Sequence, residues 1–115
     1  MKPIDLKEAA ELTLITKQTP WVLAKFSATW CEPCQLLEPV FNKLTQQHTA
    51  LQTVSINVDL QPELTRNYAV RSVPTLLLFK QGAIASRLSG LQTEEQINHW
   101  LNQQIKPVNT EESHP

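Results

Sequence analysis

Apolar residues along this chain fall into short continuous runs and into runs with helical spacing. The segment 21–27 is apolar at nearly every position, and Lys25 is the main exception. Such continuity is typical of a strand covered on both faces, as in a parallel sheet flanked by helices. Two more strands are predicted at 51–59, where apolar and polar residues alternate, and at 75–80.

Apolar residues at three- and four-residue steps predict helices between these strands. The clearest pattern spans 33–47. Its apolar face carries Cys34, Leu37, Val40, Phe41 and Leu44, and its polar face carries Gln35, Glu38, Asn42 and Gln46. Pro33 suits the first turn, where its missing N–H costs nothing, whereas Pro39 is expected to kink the helix. Further helices are predicted at 7–17, 62–68 and 93–105.

Local signals define the remaining segments. Gln81–Gly82 has the form of a two-residue turn into a fourth strand at 83–88, so we expect an antiparallel hairpin there. Thr93 and Gln96 have the spacing of a capping box at the start of the last helix. Residues 106–115 are polar and include two prolines, which predicts a disordered tail.

The order of these elements alternates helix and strand and ends with the hairpin and a last helix. This order predicts an α/β fold in which a central mixed β-sheet is flanked by helices on both faces. A chain of 115 residues suits one domain. We place that domain at 1–105 and the tail at 106–115.

Composition narrows the class of function. The net charge is −1, the isoelectric point is about 6.3 and Lys and Arg form no run, which argues against a nucleic-acid partner. No apolar run approaches the roughly 20 residues of a membrane helix. Asp5, Lys7 and Glu8 interrupt any secretory signal. We therefore expect a soluble cytoplasmic protein. We also expect it to be a monomer.

The chemistry is predicted from Cys31 and Cys34, the two cysteines of the chain. They lie where a strand ends and a helix begins, and the positive end of a helix stabilises a thiolate, the nucleophilic form of cysteine. Their spacing places the sulfurs one turn apart, within reach of a disulfide. We expect Cys31 to be exposed and to attack a substrate disulfide, and Cys34 to be more buried and to resolve the mixed disulfide.

Three other interpretations of the cysteine pair compete with redox chemistry. A zinc site that includes His48 needs a second His three to five residues later, but the next one is His99. A c-type haem site needs His where Gln35 stands. Two buried structural thiols leave Pro33 unexplained, because proline is a poor choice between core residues inside a helix. We therefore expect no metal.

The segment Trp30-Cys31-Glu32-Pro33-Cys34 resembles the Trp-Cys-Gly-Pro-Cys motif of the thioredoxin family. The resemblance extends over 21–105, most of the chain. Other matching positions are Phe26, Ala28, Pro39, Asn57, Val58, Asp59, the segment 68–75, Gly82 and Gly90. The resemblance implies the thioredoxin fold and a thiol–disulfide oxidoreductase that reduces the disulfides of client proteins. It also implies electrons from a thioredoxin-reductase-like donor and no cofactor beyond the redox-active disulfide.

The resemblance further implies a substrate groove beside the cysteines. The peptide bond before Pro74 is expected to be cis, and the backbone of Val73 is expected to pair with an extended substrate chain. The other substrate-binding residues are expected to be Trp30, Glu32, Pro33 and Gly90.

Four residues depart from the family pattern. Glu32 replaces a glycine, and its carboxylate is expected to disfavour the Cys31 thiolate and to make the pair a stronger reductant. Lys25 stands at the position of the family's buried aspartate, which assists proton transfer at the second cysteine. Ser55 replaces the lysine beside that aspartate, and Ser27 replaces a tryptophan near the active site.

The effect of Lys25 has three alternatives. A buried lysine can act as a base, it can favour a Cys34 thiolate as a cation, or it can extend to solvent and do neither. Because a lysine in a doubly covered strand is costly, we expect an effect on catalysis. Two other functions also remain open: a thioredoxin-like scaffold that docks peptides with incidental redox activity, and a disulfide oxidant or isomerase.

Overall fold

The computed structural model describes residues 3–105, and the tail predicted at 106–115 lies outside them. Every predicted helix and strand is present, and their ends agree with the prediction within two residues. The elements are β1 (Ile4–Asp5), α1 (Ala9–Gln18), β2 (Trp21–Ser27), α2 (Glu32–Gln47), β3 (Leu51–Asn57), α3 (Pro62–Asn67), β4 (Thr75–Lys80), β5 (Ala83–Ser89) and α4 (Glu94–Gln104).

Strand β3 is shorter than the predicted 51–59 and ends at Asn57. The Asn57 side-chain oxygen accepts a hydrogen bond from the Asp59 N–H at 2.8 Å. Asparagine side chains favour turns through such bonds, because they offer the backbone an alternative to the strand ladder. The turn directs Asp59 to the surface, where it becomes part of the site described below.

One five-stranded sheet organises the described part of the chain, in the order β1–β3–β2–β4–β5. Strands β1, β3 and β2 are parallel, whereas β4 is antiparallel to β2 and to β5. The predicted mixed sheet and its antiparallel hairpin are therefore confirmed. Because β2 is paired on both sides, it occupies the centre of the sheet, which explains its nearly continuous apolar sequence.

Helices cover both faces of the sheet, as predicted, because successive β2 side chains point to opposite faces. One core includes Val22, Ala24 and Phe26 of β2, Leu12 of α1 and Leu64 of α3. The other includes Leu23 of β2, Leu37 and Phe41 of α2, and Ile97 and Leu101 of α4. Helix α2 is thus held on the sheet by its apolar face, which fixes its N-terminal end next to the end of β2.

The local signals around β5 and α4 also have the predicted form. Gln81 and Gly82 have φ angles of 51° and 88°, as a type I′ hairpin turn requires. The Thr93 side chain accepts a hydrogen bond from the Gln96 N–H at 3.1 Å, and the Gln96 side chain accepts one from the Thr93 N–H at 2.8 Å. These two bonds form the predicted capping box of α4.

Candidate active site

Cys31 and Cys34 lie at the junction between β2 and α2. Strand β2 ends at Ser27 and α2 begins at Glu32, so Cys31 caps the N-terminus of the helix. Its Sγ accepts a hydrogen bond from the Cys34 N–H at 3.2 Å. The two sulfurs form a disulfide, and the Cα atoms lie 5.3 Å apart. The predicted position of the pair at a strand-to-helix junction is therefore confirmed.

The expectation that Cys31 is the more exposed cysteine is wrong for the disulfide form. The exposed fractions are 4% for Cys31 and 3% for Cys34. Cys31 is buried because its side chain turns inward to cap α2, and because Ala28, Val58 and Val73 pack around the pair. Exposure in this form does not distinguish the attacking sulfur from the resolving one.

The loop before β4 meets the cysteine pair, and the loop after β5 is hydrogen-bonded to that loop. The Val73–Pro74 peptide bond is cis, as the family resemblance implied. The Val73 carbonyl oxygen lies 3.7 Å from the Cys31 Sγ. Gly90, whose φ is 86°, donates its N–H to the Pro74 carbonyl at 2.8 Å. Three of the predicted groove residues, Val73, Pro74 and Gly90, therefore lie in one layer, and Val73 is the one next to Cys31.

Trp30 lies on the rim of this layer, with 69% of its surface exposed. Its indole Nε1–H donates a hydrogen bond to the Asp59 Oδ2 at 2.8 Å, which holds the ring in place. A shallow pocket of about 210 Å³ extends from the ring to Val73. Glu32 and Pro33, the first residues of α2, are also exposed. The sequence did not identify Asp59 as a partner of Trp30, because 29 residues separate them.

Lys25 is buried in the sheet beneath α2, and 2% of its surface is exposed. Its Nζ lies 3.5 Å from the Glu38 Oε1 and 4.8 Å from the centroid of the Phe41 ring. Ser55 pairs with it across β2 and β3. The lysine therefore does not lie free in solvent, and its ammonium is matched by a carboxylate and the face of a ring.

Glu38 is a residue that the sequence assigned only to the polar face of α2. It lines one pocket with Cys34 and a second with Lys25. The available signal was its spacing, since side chains four residues apart in a helix are neighbours. The identity of the partner on β2 depends on how α2 packs on the sheet, which the spacing does not specify.

Within residues 3–105, no group of three or more His, Cys, Asp or Glu side chains is arranged to hold a metal ion. His48 bonds through its Nε2 to the Asn98 Oδ1 at 2.7 Å. No helix in the same range combines the length and the apolar character needed to cross a bilayer.

The arrangement provides the elements of thiol–disulfide exchange. A sulfur at a helix N-terminus is stabilised as a thiolate, and a second sulfur lies within bonding distance. The backbone carbonyl of Val73 lies beside the first sulfur, where an extended chain can be aligned.

Comparisons with known proteins agree with this chemistry. The Thioredoxin family model matches residues 4–103. A thioredoxin of Mycobacterium bovis is 34% identical over 107 residues, which cover 92% of this chain and 92% of the relative. A thioredoxin of Alicyclobacillus acidocaldarius is 42% identical over 81 residues, which cover 70% of this chain and 77% of the relative.

Solved structures show the same relationship. A mutant thioredoxin from Halobacterium salinarum matches with a TM-score of 0.87 and 36% identity, over 93% of this chain and 94% of its own. A thioredoxin from Nicotiana alata matches with a TM-score of 0.84 and 26% identity, over 91% of this chain and 94% of its own. Since fold, family model and cysteine pair all agree, this chain belongs to the thioredoxin family and is a thiol–disulfide oxidoreductase.

Proposed function

We propose that this enzyme reduces protein disulfides, with Cys31 as the nucleophile and Cys34 as the resolving thiol. The observation that carries these roles is the position of the Cys31 Sγ at the N-cap of α2, where it accepts the Cys34 N–H. Both that bond and the helix dipole favour negative charge on this sulfur. Cys34 lies within the first turn of the helix and occupies no capping position.

The proposed reaction proceeds in two exchanges. The Cys31 thiolate attacks one sulfur of a client disulfide, and the client's other sulfur leaves as a thiolate. Cys34 then loses its proton and attacks the Cys31 Sγ, which forms the Cys31–Cys34 disulfide and releases the client's remaining sulfur. The client gains two electrons and two protons, and a thioredoxin-reductase-like donor later returns two electrons to the pair.

The client is proposed to bind as an extended segment beside Cys31. The Val73 backbone lies next to this sulfur, so a strand that pairs with Val73 presents its disulfide to the nucleophile. The exposed Trp30 ring offers apolar contact area at the rim. The remaining proposed contacts are Glu32, Pro33, Pro74 and Gly90.

Lys25 is proposed to contribute to catalysis from beneath the site. Only 2% of its surface is exposed, and burial of a charge in a covered strand costs free energy unless another group compensates it. A lysine without a function is therefore not expected at this position. We also propose that the protein works as a monomer in a reducing compartment such as the cytoplasm. This compartment suits a chain with two cysteines that form one redox pair.

The direct test is reduction of insulin disulfides with dithiothreitol as the electron source. The wild-type protein is expected to accelerate the reaction, and Cys31→Ser to abolish the acceleration. Cys34→Ser is expected to accumulate a mixed disulfide through Cys31, which intact-mass measurement detects.

Three results would contradict the proposal. Peptide binding by a wild-type protein that does not accelerate insulin reduction would favour the scaffold function. Faster oxidation of a reduced client than reduction of insulin would favour a disulfide oxidant. Trapping of the client on Cys34 in the Cys31→Ser variant, at the rate seen for Cys34→Ser, would show that the two cysteines do not have distinct roles.

A further inference from the structure

We propose that Glu38 accepts the proton of Cys34 in the resolving step, and that Lys25 positions the Glu38 carboxylate for this task. The inference rests on the proposed function, because it concerns the second of the two exchanges. The observation that supports it is the salt bridge between Lys25 of β2 and Glu38 of α2. Glu38 lies one helical turn beyond Cys34, the resolving cysteine.

Glu38 and Cys34 are four residues apart in α2, so their side chains are neighbours on the helix surface. Both line a pocket of about 260 Å³ that also includes Gln35 and Asn57. A water molecule occupies about 30 Å³ of liquid, so the pocket has room for water between the thiol and the carboxylate. A carboxylate reached through one water is within the range of general-base catalysis.

Lys25 does not share this pocket with Cys34. It lines a neighbouring pocket of about 290 Å³, and Glu38 lines both. The other charged residues around the Lys25 pocket are Asp5 and Lys7, on and after β1. A protonated lysine offers donors and no acceptor, so Lys25 in its charged form cannot take a proton from Cys34. Glu38 is the carboxylate that connects the two pockets.

The difference in burial between the two residues indicates that Lys25 positions Glu38, and not the reverse. Lys25 is 2% exposed, whereas the Glu38 side chain is 60% exposed. A carboxylate at such exposure is otherwise free to rotate among several conformers, with an entropic cost to hold it in one. The Lys25 Nζ, fixed in the sheet and 3.5 Å from the Glu38 Oε1, restricts the carboxylate to the side of α2 that faces β2. Lys25 is therefore a positioning residue.

The proton transfer and the sulfur exchange take place in one step. Before the step, Cys31 is bonded to a client sulfur and Cys34 is a thiol. The Cys34 proton passes through water to the Glu38 carboxylate while the Cys34 sulfur attacks the Cys31 Sγ. The Cys31–Cys34 bond forms, the bond from Cys31 to the client breaks, and the client sulfur leaves with the electron pair. Glu38 then returns the proton to solvent or to the departing sulfur.

The test separates the two exchanges with an aromatic disulfide, 5,5′-dithiobis(2-nitrobenzoate), mixed with the reduced protein in a stopped-flow instrument. Attack by Cys31 releases the first coloured thiolate at a rate proportional to the reagent. Attack by Cys34 releases the second at a rate independent of the reagent. Glu38→Gln is expected to slow the second phase about 10- to 100-fold and to leave the first phase unchanged. The upper value equals the smallest contribution that is typical of a general base.

Two variants and a control sharpen the result. Glu38→Asp keeps a carboxylate and is expected to retain more of the second-phase rate than Glu38→Gln. Lys25→Met is expected to slow the same phase by a smaller factor, because the carboxylate remains but is less well held. Glu94→Gln is the matched control, since Glu94 pairs with Lys43 at 3.3 Å on the surface. The bonds from Gln47 and Lys43 hold the pKa of Glu94 below its ordinary range, and the control is expected to leave both phases unchanged.

The outcomes that overturn the inference differ from those that overturn the function. An equal second-phase rate in wild type and Glu38→Gln, or an equal slowing of both phases, assigns the salt bridge to structure alone. Release of only one thiolate by the wild-type protein contradicts the proposed function itself. If Lys25→Met does not fold, the comparison of Glu38→Gln with Glu38→Asp still decides, because a merely structural pair predicts no rescue specific to the second phase.

Discussion

At the scale of single residues, two charges depart from the family pattern: Glu32 beside Cys31, and Lys25 beneath α2. Glu32 is the first residue of α2 and is exposed. A carboxylate there interacts favourably with the helix dipole, but it repels a thiolate on the capping sulfur. The first effect stabilises the helix in both redox states, whereas the second opposes the reduced state alone.

Replacement of Glu32 is therefore expected to make the pair less reducing. Without the carboxylate, the Cys31 thiolate is stabilised, so the reduction potential of Glu32→Gly becomes less negative. An interaction of about 1 kcal/mol between the two charges corresponds to a change of about 20 mV in the reduction potential. Equilibration with a glutathione buffer, followed by thiol alkylation, measures this change.

Glu32→Gln is the companion variant, because it removes the charge without the extra backbone freedom of glycine. Both variants are expected to shift the potential in the same direction. A shift in the glycine variant alone would assign the effect to the backbone. Unchanged potentials in both would show that the Glu32 carboxylate does not influence the pair.

At the scale of elements, α4 packs beside α2 on the same face of the sheet and helps to hold it in place. The two helices share the core that includes Phe41 and Ile97. Their polar edges are joined by the bond from His48 to Asn98 at 2.7 Å. Because α2 presents both cysteines, the docking of α4 contributes to the placement of the site. The start of α4 depends on its capping box.

Thr93→Ala is expected to lower the free energy of unfolding by about 1 kcal/mol, because the Gln96 N–H loses its side-chain acceptor. Urea denaturation followed by circular dichroism measures the difference. Thr93→Ser keeps the hydroxyl and is expected to remain close to wild type. Equal stability of wild type and Thr93→Ala would show that water replaces the cap at no cost.

At the scale of the whole molecule, the sheet is the frame on which the site is assembled. Strand β2 is central and antiparallel to β4. The C-terminal end of β2, the start of α2 and the loop before β4 therefore lie at the same end of the sheet. Each catalytic or groove residue therefore depends on elements that are distant in the chain. The family model matches residues 4–103, which is nearly the same extent as the described elements.

We propose that residues 1–105 form the functional domain and that the segment 106–115 is a dispensable tail. A chain that ends at Ile105 is expected to keep the urea midpoint and the insulin-reduction rate of the full chain, since α4 ends at Gln104. Comparison of both quantities for the two chains tests this. A lower midpoint or a lower rate in the shortened chain would assign the tail to the domain.

The elements, the mixed α/β architecture and the position of the cysteine pair could all be predicted from the order of the residues alone. These features follow from local physical causes. Apolar spacing distinguishes strand from helix, the Gln81–Gly82 turn specifies a hairpin, and the junction before Pro33 creates a helix N-terminus with a sulfur on it. The cis bond at Pro74 followed from the family resemblance, because local residues favour the trans form by default.

Three features could not be predicted without the folded structure: how Cys31 is covered, which residue holds Trp30 and which carboxylate meets Lys25. Each of these depends on two segments that are distant in sequence and are brought together by packing: Val73 against Cys31, Asp59 against Trp30, and Glu38 against the buried lysine. Periodicity assigns a residue to a face of its own element. It does not specify which residue of another element lies opposite, because that depends on how helices and strands settle on a common core.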